Sequence, residues 1–63
     1  MYRPGDLVRF RILISHASAL WRWREGIAIV VGAIFLDDGM MFYEIMEADG
    51  TSLEALEDEI ELV

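Results

Sequence analysis

Near its start the chain alternates strictly: Val8, Phe10 and Ile12 are separated by Arg9 and Arg11. Side chains two apart on a strand share a face, so this period predicts a β-strand with Val8, Phe10 and Ile12 on its buried side. Pro4-Gly5-Asp6 precedes it and reads as a turn, because Pro presets φ, Gly accepts positive φ and Asp bonds its own backbone two residues on. Residues 15–25 show neither clean alternation nor a long apolar stripe, so a long first loop is expected there, with a helical turn around Ala17 to Trp21. Gly26 then opens a central strand, Ile27 to Phe35, rich in β-branched residues; small Ala28 and Gly32 allow a close backbone approach or a bulge.

Asp37-Asp38-Gly39 separates two apolar runs and predicts a hairpin with a primed turn, since Asp-Gly supplies positive φ. Met40 to Met46 returns as a third strand. Ala48-Asp49-Gly50-Thr51 repeats the turn chemistry and leads into a short fourth strand, Ser52 to Leu56. Glu57-Asp58-Glu59 has room for one 3₁₀ turn. Ile60 and Leu62 alternate around Glu61 and can pair beside the first strand, bringing Glu59 and Glu61 opposite Arg9 and Arg11. The expectation is one all-β domain, residues 1–63.

At 63 residues the chain can bury one small core. It has no Cys and a single His, so neither a disulfide staple nor a zinc set is at hand. Stability must come from packing or association, and an apolar fraction of 56% exceeds the roughly 45–50% usual for soluble domains, which points to self-association. The longest apolar run, Ile27 to Leu36, falls well short of the ~20 residues that span a membrane. The N-terminus lacks the charged head and apolar stretch of a secretory signal.

Charge is split along the chain. All five Arg stand in residues 1–24 against one acid, Asp6, whereas the other eleven acids lie in residues 25–63 with no base. The net charge of −7 repels a phosphate backbone, which argues against nucleic-acid binding. An alternative survives in which the basic N-terminal half serves a nucleic-acid-binding barrel while the acids face away.

Several segments together resemble the small Src-homology-3-like (SH3-like) barrel proteins encoded by tailed bacteriophages, cyanophages and uncultured marine phages among them. They are Pro4-Gly5-Asp6-Leu7-Val8-Arg9-Phe10, Gly26-Ile27-Ala28-Ile29-Val30-Val31, Met41-Phe42-Tyr43-Glu44-Ile45, the Ala48-Asp49-Gly50-Thr51 turn, and Leu56 to Val63. Residues 13–25 fall outside the likeness. The resemblance implies a five-stranded SH3-like barrel, to which the residues themselves add the long first loop and the 3₁₀ turn before the last strand. It also implies a phage source, hence the infected host's cytoplasm or the virion. It carries no activity and no site residue.

The most informative local feature is Trp21-Arg22-Trp23-Arg24. In an extended segment both indoles face one way and could form an apolar ledge, joined by Tyr43 or Phe42, with Arg22 and Arg24 turned aside to orient a partner. Such a ledge suits an extended peptide. The competing reading has the indoles capping an open barrel end or packing in a dimer interface. A methyl-lysine cage of Trp21, Trp23 and Tyr43 is the sharpest version.

The acidic run Glu57-Asp58-Glu59-Glu61 lacks the register of a calcium loop and reads as a solvated turn. His16 with Ser15 and Ser18 reads as a surface loop, because nothing orders them as base and nucleophile. With no phosphate loop and no Lys, the chain is expected to be non-catalytic, without cofactor or metal, working through a protein partner or a second copy of itself.

Overall fold

The computed structural model describes residues 1–15 and 21–63. Five strands form one antiparallel sheet: β1 (Leu7–Ser15), β2 (Trp21–Phe35), β3 (Met41–Glu47), β4 (Ser52–Ala55) and β5 (Ile60–Leu62). A 3₁₀ turn, Glu57–Glu59, links the last two. The hydrogen-bonded order is β4-β3-β2-β1-β5, so β4 and β5 are the two edges and the ladder does not close on itself. Among the described residues no helix is long and apolar enough to cross a membrane.

The alternation at the start of β1 does what its period demands. Val8, Phe10 and Ile12 are buried, and with Ala28, Val30, Tyr43, Ile45, Ala55 and Ile60 they make the core. Leu7, Arg9, Arg11 and Leu13 face out. Gly26 does not open β2 but sits within it, opposite Phe10. A Cβ there would lie 3.4 Å from the edge of the Phe10 ring, so the ring covers a position that has no side chain. Beyond Ala28 the expected bulge occurs: the register with β3 slips between Val30 and Gly32, bending β2 so that the sheet curls around its core.

Turn chemistry sets the remaining strands. The Arg3 carbonyl accepts from Asp6 N–H at 3.0 Å and Gly5 has φ +95°, a type II turn with Pro4 in the second position. Both hairpins have three-residue loops rather than the primed two-residue turns expected. Gly39 N–H donates to Leu36 O and Leu36 N–H to Met40 O; Gly50 N–H donates to Glu47 O and Glu47 N–H to Thr51 O. Only the glycine at the third loop position takes the left-handed conformation, with φ +87° and +89°, as a type I turn followed by a bulge requires. Asp38 and Asp49 each accept a backbone N–H two residues on, and the Thr51 bond holds the Asp49 carboxyl below its ordinary 3.8.

The 3₁₀ turn is fastened by Glu59, whose carboxylate accepts the Leu56 N–H at 2.7 Å. β5 then pairs with β1 through Val8, Arg9 and Phe10. Arg9 meets Glu61 at 3.3 Å as the alternation implied, but Arg11 turns to Glu25 on β2, at 3.8 Å, because Glu59 is committed to its own turn. Tyr2 closes the end of the core. Its hydroxyl donates to Ile60 O at 2.8 Å, its N–H donates to the Tyr43 hydroxyl at 3.2 Å, and the two rings meet edge to face at 5.2 Å. Burial, reinforced by the nearby Glu57, raises the Tyr2 hydroxyl above its ordinary 10.0.

Candidate functional site

The long loop expected over residues 15–25 is largely strand. β1 and β2 stay paired out to Ser15 and Trp21, so only residues 16–20, outside the described residues, separate them. The proposed helical turn from Ala17, with His16 and Ser18, falls in that segment, although Trp21 itself is strand. Neither β3 nor β5 follows this far: β3 joins β2 only from Ala28, and β5 joins β1 only up to Phe10. Arg11–Ser15 and residues 21–25 therefore project as a two-stranded arm.

The arm keeps the period of two: Ile12 and Ile14 of β1 still face inward, but on β2 the contents are inverted. Trp21 and Trp23 stand on the face away from the core, opposite Ser15 and Leu13, and are 65% and 57% exposed. Both indoles point to one side, as the ledge reading required. The Arg11 guanidinium lies 4.2 Å from the centre of the Trp23 ring and braces it by cation–π attraction. Arg22 and Arg24 point the other way. Arg24 is held by Glu47 of β3, which accepts from Nε at 2.7 Å and from a terminal guanidinium nitrogen at 2.6 Å, so it ties the arm to the body. Arg22 is exposed.

Tyr43 does not belong to this ledge. It is 1% exposed, sits in the core and faces Tyr2, on the opposite side of the sheet from the indoles. Pairing with Val30 turns Ile45 inward, Tyr43 two residues before it shares that face opposite the buried Ala55, and the Tyr2 N–H gives the buried hydroxyl its partner. A methyl-lysine cage containing Tyr43 is thereby ruled out. Phe42 is no substitute: it pairs with Ile34 at the far end of β2. Arg24, committed to Glu47, is a strut more than an orienting charge.

A second feature had no signal beyond the unbroken apolar run in β2. Leu7, Ile29 and Met46 form one row across three strands on the outer face, Ile27 flanks it, and Val31 joins them around a shallow depression of about 430 Å³. Antiparallel sheets usually give water a polar face; this one has aliphatic side chains on both. To one side of the strip lie Arg9 and Arg11 of β1. To the other lie Glu44 and Glu54, direct neighbours across β3 and β4.

Of the five guanidinium groups, Arg9 and Arg11 meet carboxylates in exposed pairs and Arg24 in a less exposed one. No cluster of potential metal ligands occurs among the described residues. No protein-family model matches the chain, and no curated protein or solved structure matches it.

Proposed function

We propose that the chain is a non-catalytic SH3-like barrel of the phage type that works by protein contact, with itself or with a phage or host protein, in the infected cell or the virion. The observation that carries the contact reading is the pair of exposed, same-facing indoles on an arm whose inward apolar groups are Ile12 and Ile14. A marginal 63-residue domain that displays two large aromatic rings gains nothing in its own fold from doing so, whereas a partner would remove both from water. The barrel part of the reading draws on the four-strand meander, the 3₁₀ turn and the return of β5 beside β1.

The test has two arms: light scattering of the pure chain from micromolar to millimolar concentration, and binding to a displayed library of extended peptides. Both are repeated on the W21A/W23A double variant. The wild type is expected to gain mass or retain a peptide class, and the variant to lose that behaviour while remaining folded. A wild type that does neither, or a variant that matches it, ends the reading.

A further inference from the structure

We infer that two copies of this chain pair face to face, the outer surface of β1, β2 and β3 in one copy covering the same surface in the other. This rests on the contact reading above and names the partner. The area is of the right order. Five residues of the central strip and three of the arm, Leu13, Trp21 and Trp23, are each 41–65% exposed. Taking each aliphatic side chain at its usual transfer area and the indoles at theirs, the face offers on the order of 500 Å² of apolar surface. That is about two thirds of the roughly 800 Å² one side of a stable interface buries, the remainder being available from a polar rim.

Charge selects a second copy over a different occupant. A chain of net −7 repels its own kind wherever acid meets acid, yet on this face one flank holds Arg9 and Arg11, each loosely paired with an exposed carboxylate, and the other holds Glu44 and Glu54 without a cation among the described residues. A two-fold axis in the plane of the face exchanges the flanks, so Arg9 and Arg11 of each copy approach Glu44 and Glu54 of the other. Within one copy these groups are poorly served. The Arg9–Glu61 and Arg11–Glu25 pairs are more than half exposed, and such pairs hold their partners weakly. Glu44 and Glu54 stand directly opposite on adjacent strands, where like charges destabilise, and among the described residues neither has a cation; Glu44 has only the Ser52 hydroxyl.

The decisive experiment is a charge swap read by sedimentation or light scattering. The wild type is expected to be a dimer. R9E/R11E and E44R/E54R should each weaken self-association at least tenfold alone, and mixed in equal amounts they should form a heterodimer within a few-fold of wild-type affinity, because both flanks are again complementary. E44Q/E54Q covers the case in which a reversed variant fails to fold: it should be more stable as a monomer and still dimerise more weakly. A wild type that stays monomeric at millimolar concentration overturns the inference, as does mixing that restores nothing or an assembly that grows past two copies. If the dimer forms, ignores all the charge variants and is lost in W21A/W23A, the arm alone carries the contact; the function proposed above then stands and the face-to-face pairing falls.

Discussion

β1 and β2 run side by side through two different surroundings. From Leu7 to Phe10, β1 has β2 on one side and β5 on the other; its inward side chains reach a core shared with β3 and β4. From Arg11 to Ser15 it has β2 alone. The backbone ladder is the same in both, and what changes is the number of neighbours. In the body, alternate residues are apolar because a core receives them. In the arm, Ile12 is the last fully buried residue and Ile14 is partly buried, whereas Leu13 and the two indoles sit on the solvent side. A two-stranded ribbon has marginal stability in water, so the arm depends on the body that anchors it. Its outward tryptophans fit a contact role better than a folding one.

The comparison can be broken most forcefully at the body. Phe10→Ala removes a fully buried ring that also covers Gly26, and should cost about 3–5 kcal/mol. Native domains hold roughly 0.05–0.15 kcal/mol per residue, about 3–9 kcal/mol at this length, so cooperative urea unfolding should be largely or wholly lost. A clear sigmoidal transition near the wild-type midpoint would contradict the core described here.

At the junction, Glu47→Ala releases the Arg24 tether. The pair is partly exposed, so about 1 kcal/mol is expected after allowance for solvent screening. Amide exchange in residues 11–15 and 21–25 should quicken by more than exchange in β3. Equal acceleration in both regions would mean that arm and body open as one unit.

On the arm itself, W21A/W23A should shift the unfolding free energy by no more than about 0.5 kcal/mol, as surface substitutions away from the core do, when both proteins are compared at dilutions where they are monomeric. A larger loss would show that the indoles support the fold.

The smallest effect lies at high pH. The folded Tyr2 hydroxyl titrates above its ordinary 10.0, so the unfolded chain loses this proton first. Its contribution is complete below pH 10.0 and is lost as pH rises through the folded value. Tyr2→Phe should flatten this alkaline limb in thermal melts, and an unchanged limb would assign it to another group.

Several of these features are legible in the residues. Val8, Phe10 and Ile12 alternate with charge, so their shared face needs no further information. Gly39 and Gly50, each directly after an Asp, mark the hairpin ends, although the exact loop form depends on how the strands meet. Trp21 to Arg24 also alternates, but over only four residues and with the apolar side chains toward solvent, so the strand is hard to see until the tether from Glu47 shows why an Arg can face inward. Met41 to Ile45 carries apolar or aromatic residues at four of five positions, so its alternation cannot say whether Tyr43 points in or out. The register that sets Ile45 against Val30 and Tyr43 against Ala55 makes that choice.

The order of residues alone determined the strand segments outside residues 15–25, the positions of their turns, the core face of β1 and the separation of basic from acidic halves, because all of these follow from local backbone preference and the two-residue period. Tertiary structure decided which neighbours each strand receives: the burial of Tyr43, the Arg24–Glu47 tie, the projecting arm and the apolar outer face between basic and acidic flanks. Those depend on register between segments far apart in the chain, and a shift of one residue in register moves a whole strand's side chains to the other face.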